Sequence, residues 1–317
     1  MRKVLLATTA LVALGGVSAA SADISVSVAN EMKYSSWSNN VTSAANKTSV
    51  TNDSTIKISA SSVLDNGLSI SSYGAQDATT GFDDFGFSIA GDFGTLGFKG
   101  SESGDAFATA ADVTADEGNK ITASNFSTTG QYMMLPADES VEASDVSYLS
   151  PDINGFQFSI GMADTGLNSD DTSMGAQYSM TSGDATITVK YASSEAGAAS
   201  GADNIEATSM GLVVGYGDAT ITIAQNTKKK GSTYDFTGDA YGITYKMSDS
   251  LTLQAYTGST EDGKDSTHEI TDTGLGLTYT VTPGMSISVT NNNTDMKDGD
   301  VTNEDSDVTT VAINLTF

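Results

Sequence analysis

The sequence has 317 residues, with 40 acidic and 14 basic side chains and a formal net charge of −26 at pH 7. The shortage of Lys and Arg excludes a basic nucleic-acid binder, since neutralising phosphates requires cationic side chains. The absence of Cys excludes a disulfide scaffold and a thiolate metal site. Beyond residue 22 no apolar run approaches the roughly 18 residues of a membrane-spanning helix, and the Gly-rich, Ser/Thr-rich remainder is typical of β structure.

The first 22 residues have the features of a cleaved export signal. Residues 1–3 are a short basic stretch, residues 4–17 are mostly apolar, and residues 20–22 fit the small-residue cleavage pattern Ala-Ser-Ala. We therefore expect a bacterial protein that leaves the cytoplasm. After cleavage of this signal peptide, residues 23–317 would form one domain.

The mature chain repeats one pattern, in which apolar residues occupy every second position. This period of two indicates β-strands with one apolar and one polar face. The clearest segments have these apolar members: Ile56, Ile58 and Ala60; Phe156, Phe158, Ile160 and Met162; Ile187, Val189 and Tyr191; Leu212, Val214 and Tyr216; Tyr241, Ile243, Tyr245 and Met247; Leu275, Leu277, Tyr279 and Val281; and Val311, Ile313, Leu315 and Phe317.

The connectors between these segments are of two kinds that alternate along the chain. Short turns rich in Asp, Asn and Gly, suited to hairpins, occur at 65–67, 92–94, 151–155, 182–184, 217–218, 248–249 and 283–284. Longer, polar and often acidic connectors fall at about 38–53, 77–80, 101–143, 164–171, 194–204, 227–232, 259–268 and 295–305. The segments between them number about sixteen, each near the ten residues of a tilted membrane strand.

Two arrangements satisfy this alternation: two sheets that pack their apolar faces together, or a closed barrel whose apolar face contacts lipid. In lipid the sheet must close, because an open edge would leave backbone groups unpaired. Uniform alternation with short turns on one side favours the barrel. We predict an all-β fold, a transmembrane antiparallel β-barrel of about sixteen strands, too wide for side chains to fill and therefore with an aqueous lumen.

The third long connector, 101–143, far exceeds ordinary loop lengths. It combines apolar residues with the acids Glu102, Asp105, Asp112, Asp116, Glu117, Asp138, Glu139 and Glu142. We expect it to fold back into the barrel, where its apolar residues pack on the wall and its acids narrow the opening. A disordered external loop is the alternative.

Four stretches resemble one known family. They are residues 1–10 (MRKVLLATTA), residues 93–100 (FGTLGFKG), residues 146–151 (VSYLSP) with the Gly155-Phe156 that follows, and the final Phe317 after an alternating strand. In this order they resemble the trimeric general porins of the Rhodobacter-type alphaproteobacterial group.

This resemblance implies a sixteen-stranded outer-membrane barrel, a third loop folded inward as the constriction, a homotrimer, and passive diffusion of small hydrophilic solutes. The expected constriction residues are Glu102, Asp105, Asp112, Asp116 and Glu117 in the loop, with Lys57, Lys99, Lys190 and Lys246, which the alternation places on the lumen side. Some members bind Ca²⁺ through loop acids, so a Ca²⁺ site is expected at Asp105, Asp112, Asp116 and Glu117, and no cofactor is required. Phe317 would be the C-terminal assembly signal.

One departure from that family concerns charge. Such porins set the loop acids against a cluster of Arg on the opposite wall, but Arg2, in the signal peptide, is the only Arg of this sequence. The few strand lysines cannot balance the loop acids. Because rings of acidic side chains favour cations, we predict a cation-selective pore.

Other residues carry weaker hypotheses. Interfacial aromatic girdles, or else ordinary strand packing, would account for Trp37, Tyr34, Tyr148, Tyr178, Tyr216 and Tyr245. A solvated loop tip is expected at Lys228, Lys229 and Lys230. A divalent-cation site, or a simple solvated acidic loop, fits Asp295, Asp298, Asp300, Glu304 and Asp305. His268 lacks a second His or Cys with which to complete a metal or catalytic site.

The sequence therefore predicts an outer-membrane diffusion porin and not an enzyme. A secreted β-roll would show tandem glycine-rich nonapeptides, and a glycosidase cannot be argued from forty acids without geometry. The nearest alternative is a non-channel structural or adhesin-type barrel with a filled lumen. Expected partners are outer-membrane lipid and lipopolysaccharide, ions and small polar solutes, and the barrel-assembly machinery.

Overall fold

The structure, a computed structural model, describes residues 23–39, 47–77, 81–99, 145–163, 171–196, 203–298 and 301–317. Residues 1–22, the predicted signal peptide, and the long connector 101–143 lie outside these residues. Sixteen strands run in chain order: β1 Asp23–Asn39, β2 Lys47–Val63, β3 Ser69–Asp77, β4 Gly81–Gly91, β5 Gly94–Lys99, β6 Val146–Leu149, β7 Phe156–Ala163, β8 Asp171–Ser182, β9 Ala185–Ala196, β10 Ile205–Tyr216, β11 Ala219–Lys230, β12 Tyr234–Ser248, β13 Leu251–Asp262, β14 Asp265–Thr282, β15 Met285–Asp298 and β16 Val301–Thr316. Among the described residues, no helix has the length and apolar character needed to cross a membrane.

The strands form one antiparallel sheet that closes on itself. Each strand pairs with its neighbours in the chain, and β1 pairs with β16 over Ala29–Thr316 to Asn39–Ser306. The chain end completes this seam, because Phe317 N–H donates to Val28 O at 2.9 Å and Val28 N–H donates to Phe317 O at 3.0 Å. The sixteen-strand antiparallel barrel predicted from the sequence is confirmed.

All seven short turns lie at one end of the barrel, together with Asp23 and Phe317. Six of these seven turns contain a glycine with positive φ, and the turn at 248–249 does not. Gly94, for example, has a φ of 106°, and a Cβ there would overlap the carbonyl oxygen of Leu149. Outer-membrane barrels place their short turns on the periplasmic side, so we assign this end to the periplasm and the other end to the cell exterior.

The register gives the barrel two consistent faces, because residues paired across antiparallel strands point to the same side. One face carries large apolar side chains on every strand, and on each strand except β5 and β13 at least one of them is exposed. Examples along a single row are Tyr245, Leu253, Leu277, Val289 and Val311. Because many of these side chains stay exposed instead of packing into a core, we take this apolar band as the outward face, which is suited to contact with hydrocarbon.

The opposite face carries mainly Ser, Thr, Gly, Ala, Asn and Gln. The row that alternates with the apolar one runs through Thr244, Gln254, Gly276, Thr290 and Thr310. These groups can hydrogen-bond to water in the lumen. The sheet therefore separates an apolar exterior from a hydrophilic interior, as the alternation predicted.

Strand lengths differ from the expected uniform ten residues. They range from 4 residues in β6 to 18 in β14. Three connectors expected to be long loops, at about 227–232, 259–268 and 295–305, are mostly strand, since β11–β12, β13–β14 and β15–β16 join through short links. Their polar residues still alternate, and backbone pairing continues in water above the apolar band, so polarity alone did not mark the strand ends.

The face assignment predicts that the same substitution changes stability very differently at adjacent positions of β12. Ile243 points outward in the apolar band, whereas Thr244 points inward. Ile243→Arg places a cation in hydrocarbon and is expected to lower the free energy of unfolding by about 2–4 kcal/mol, while Thr244→Arg should change it little. Urea titration in lipid vesicles measures both. An equal loss from the two variants would contradict the assignment.

Candidate functional site: the barrel lumen

The backbone register gives the four predicted wall lysines inward parity, on β2, β5, β9 and β12; the side chain of Lys99 on β5 lies outside the described side chains. Lys57 sits in the register between Ser27 and Ala75, and its Nζ lies 4.3 Å from the ring centroid of Tyr73. A cation over an aromatic face is attracted by the ring quadrupole. This contact fixes a positive charge on the membrane-level wall, because Ile56 and Ile58 on either side of Lys57 face lipid.

The other three lysines occupy different surroundings. Lys190 pairs in register with Gln177 and Gly211. Lys246 lies at the periplasmic mouth, with Nζ 3.3 Å from Asp249 Oδ1. Lys99 occupies the inward register position opposite Gly86. The barrel spreads the four around its wall, and their role in a constriction stays a prediction.

Two wall carboxylates escaped the sequence analysis. Glu31 and Asp53 are direct partners across β1 and β2 and point inward. Lys33, two residues along β1, places its Nζ 2.6 Å from Glu31 Oε1. Parity from Lys57 would have revealed Asp53, which lies four residues earlier on the same strand, whereas the inward position of Glu31 follows from its pairing with Asp53. The wall is therefore mixed in charge rather than purely basic.

A row of amides crosses the periplasmic half of the wall. Gln177 Nε2 donates to Gln157 Oε1 at 2.8 Å, and Gln157 Nε2 donates to the carbonyl oxygen of Ser150 at 3.4 Å. Lys190 continues the same row on β9. These side chains present hydrogen-bonding groups to the lumen, and the sequence signal for them was again parity alone.

Tyr256 is the best defined aromatic group on the wall. It points inward from β13 between two glycines, Gly242 on β12 and Gly274 on β14. Its ring lies across Gly274, where a Cβ would overlap it, and its hydroxyl donates to Asn292 Oδ1 on β15 at 3.1 Å. The missing side chain at Gly274 thus lets the ring lie flat against the wall instead of projecting into the lumen.

Part of the inward face is covered. A row of small residues on β7 to β11 is almost inaccessible: Ser159 and Ala192 are 1% exposed, and Ser209 and Asn226 are 2% exposed. Ser159 Oγ, Ser209 Oγ and Asn226 Oδ1 have no hydrogen-bond partner among the described residues. Buried polar atoms normally find partners, so this covered row is a surface against which another polar group fits.

The lysine run 228–230 is not a solvated loop tip. It belongs to β11, where Lys228 is buried at an inward position between Ala207 and Phe236, and Lys229 points outward with Nζ 3.3 Å from Asp235 Oδ1. The sequence suggested a loop because three successive lysines show no alternation of apolar and polar residues. The strand register shows that they nevertheless point alternately inward and outward.

The acidic cluster near the chain end also belongs to strands rather than to a loop. Asp295 on β15 pairs directly with Asp305 on β16, on the outward face and six residues beyond Val289, where the apolar band of β15 ends. The hydrogen bond with Asp305, then partial burial and the charges of Asp305 and Asp307, raise the pKa of the Asp295 carboxyl. The pair lies in water above the membrane. In the described part of the chain, no group of three or more His, Cys, Asp and Glu side chains could hold a metal ion.

The remaining site predictions divide as follows. Several predicted site residues lie outside the described residues: the loop acids Glu102, Asp105, Asp112, Asp116 and Glu117, and also Asp300. The Ca²⁺ site predicted from four of these loop acids is therefore also outside them. The side chain of His268 is not described either. The five tyrosines proposed for the girdles do point outward. The girdle hypothesis is wrong for Trp37, which shares the inward parity of Lys33 and pairs with Val308.

Tyr256 provides a test of wall geometry. Gly274→Ala places a methyl group in the space of the ring, so we expect the ring to swing into the lumen and lose its bond to Asn292, with a lower single-channel conductance and little loss of stability. Tyr256→Phe, which removes only the hydroxyl, is the control. The double variant Gly274→Ala, Tyr256→Ala should restore conductance. An unchanged conductance in Gly274→Ala would contradict the flat ring.

Comparison with known proteins gives both a family and a fold. A family model described as Gram-negative porin matches residues 7–299. No protein of curated function matches the chain. Among solved structures, the chain is similar to an anion-selective porin from Comamonas acidovorans, at 11% identity and a TM-score of 0.70, over 93% of this chain and 100% of the other.

Two further structures share the architecture. The in-vitro folded OmpT of Vibrio cholerae in its trimer form is 13% identical, with a TM-score of 0.63 over 93% of this chain and 99% of the other. A Salmonella typhi OmpF complex with daunomycin is 12% identical, with a TM-score of 0.63 over 93% and 97%. At these identities the structures show the fold alone. The family model covers most of the chain, and this protein therefore belongs to the Gram-negative porin family.

Proposed function

We propose that this protein forms a water-filled channel in the bacterial outer membrane, through which ions and small hydrophilic solutes diffuse passively. The observation that carries the proposal is the closed ring of sixteen strands with an apolar exterior and a hydroxyl-, amide- and lysine-lined interior. A ring of this size is too wide for side chains to fill. The family and this wall chemistry both favour a channel over an enzyme.

We further propose that the connector 101–143 folds inward and narrows the lumen. The covered row on β7 to β11 supports this, because Ser159, Ser209 and Asn226 are buried on the lumen side with polar atoms that lack partners among the described residues. A segment of this length joins β5 and β6 beside that wall. Its acids would then face the open side, where Lys57 and Glu31 lie, and could bind Ca²⁺ at Asp105, Asp112, Asp116 and Glu117.

Cation selectivity is proposed on the balance of charge. The described wall carries Lys33, Lys57 and Lys190 at the level of the apolar band and Lys246 at the periplasmic mouth, together with the inward carboxylates Glu31 and Asp53. The five acids of the proposed loop, added to these two wall carboxylates, would outnumber the wall lysines. Fold does not determine the sign of selectivity, since the Comamonas acidovorans neighbour is an anion-selective porin.

A homotrimer is proposed, as in the Rhodobacter-type porins that the sequence resembles. We place its interface on the outward face of β4 to β7 from the side chains found there. This face is unusually aromatic: Phe87 stacks on Phe98 with centroids 4.6 Å apart, and Tyr148 and Phe156 lie 5.7 and 6.4 Å from Phe158. Aromatic side chains are enriched at protein interfaces. One structural neighbour is a trimer form.

The proposed partners in assembly and in the membrane follow from exposed features. Phe317 is 75% exposed although its backbone is paired with Val28, so its ring is accessible as an assembly signal for the barrel-assembly machinery. The signal peptide would direct export of the chain from the cytoplasm before it is cleaved. Lipid and lipopolysaccharide are the expected contacts of the apolar band.

The channel is tested by planar-bilayer recording of the purified oligomer. We expect stepwise conductance increases in salt solution, with three equal sub-levels for a trimer. A folded, heat-modifiable protein that produces no conductance would overturn the proposal and support the adhesin-type alternative with a filled lumen.

Selectivity is tested by the reversal potential in a KCl gradient. We expect the wild type to prefer K⁺, and Lys57→Glu to increase that preference because it replaces a wall cation by an anion. Lys297→Glu makes the same charge change on the outward, extracellular face, beside Glu269, and should leave the reversal potential unchanged. Anion preference in the wild type would refute the selectivity while leaving the channel itself intact.

A further inference from the structure

An open groove of about 580 Å³ indents the outward face of β11 to β15. Its floor consists of the small outward residues Ala255, Thr257 and Thr273, with the neighbouring Gly242 and Gly274. Large side chains form its sides, and we call it the β13 groove. The lining residues used below are Ile221, Tyr241, Ile243, Leu275, Asn291 and Asn293.

The groove exists because one row of the apolar band lacks bulk at β13. In the row below, Tyr245, Leu253 and Leu277 are all large. In the groove row, Ala255 lies between Ile243, which is 45% exposed, and Leu275, which is 66% exposed. Two protruding side chains and a methyl group between them make a channel along the sheet surface.

The position of the β13 groove limits what can occupy it. It lies at the extracellular edge of the apolar band: Leu253 is beneath it, and the outward residues above it, such as Asp239 and Ser259, are polar. It therefore opens to hydrocarbon of the external leaflet. It is also eight strands from β5, on the far side of the ring from the aromatic face proposed for the trimer, so a second protomer does not reach it.

We propose that the β13 groove binds one acyl chain of lipopolysaccharide, the lipid of the external leaflet. The inference rests on the proposed outer-membrane location and trimer face. The groove is continuous with the lipid-facing band, and its size falls within the roughly 300–1,000 Å³ typical of small-molecule sites. Ile221, Ile243 and Leu275 offer dispersion contacts to a methylene chain.

The two asparagines of the polar rim each hold a donor in a hydrogen bond that points away from the groove. Asn291 Nδ2 donates to Thr309 Oγ1 at 3.0 Å, and Asn293 Nδ2 donates to Asp307 Oδ1 at 3.0 Å, both toward β16 and away from the groove. On the other side, Gln225 Nε2 donates to Asp239 Oδ1 at 3.0 Å. An acyl chain can therefore enter without stripping these amides of their partners.

The test compares the wild type with two matched substitutions. Ala255→Leu fills the groove, and Ala176→Leu makes the same change at an outward position of β8, outside it. The proteins are extracted from outer membranes in mild detergent and examined by native mass spectrometry, with 3-hydroxy fatty acid analysis to identify lipopolysaccharide. We expect the wild type and Ala176→Leu to retain one more lipopolysaccharide per protomer than Ala255→Leu.

A second measurement tests binding even if the lipid is lost during extraction. Adding lipopolysaccharide to delipidated protein should raise the thermal midpoint of the wild type and Ala176→Leu more than that of Ala255→Leu. The proposal is overturned by equal retention and equal stabilisation in all three, by retained phospholipid instead of lipopolysaccharide, or by dissociation of the trimer in Ala255→Leu alone. Conductance should be the same in all three proteins. A protein that gives no conductance but still binds lipopolysaccharide would refute the proposed channel function and leave the proposed lipid site intact.

Discussion

The structure depends on the closure of a single hydrogen-bonded ring. In hydrocarbon every unpaired backbone N–H or C=O is costly, so a sheet that crosses a membrane cannot have an edge. Here β1 meets β16, and Phe317 pairs with Val28 through both of its backbone groups at the seam. Once the ring is closed, alternation assigns each side chain to one of two solvents, and the width of the ring leaves room for water inside.

The two faces of the barrel then have separate functions, although their residues alternate along the same strands. The outward side holds the barrel in lipid, provides the aromatic surface of β4 to β7, and leaves the β13 groove. The inward side offers Lys57, Glu31 and the flat ring of Tyr256 to solutes. A substitution therefore changes either membrane stability or passage, according to its parity, and adjacent positions such as Ile243 and Thr244 belong to different functions.

Much of this architecture could be predicted because a period of two is local. The strand count, the short turns and the outward tyrosines followed from it. The features that could not be predicted depend on neighbouring strands. No sequence feature near Gly274 indicates that the ring of Tyr256 lies across it. The polar residues around Asp295 continue strand β15, although their composition is typical of a loop. Trp37 was misplaced because its type, rather than its parity, decided the prediction.

The central claim is that water wets the polar face and hydrocarbon the apolar face. The sequence contains no Cys, so single cysteines at positions 241–246 of β12 can be read without background. A membrane-impermeant thiol reagent applied to the reconstituted protein should label Gly242, Thr244 and Lys246 positions and spare Tyr241, Ile243 and Tyr245. Uniform labelling, or the opposite alternation, would contradict the account.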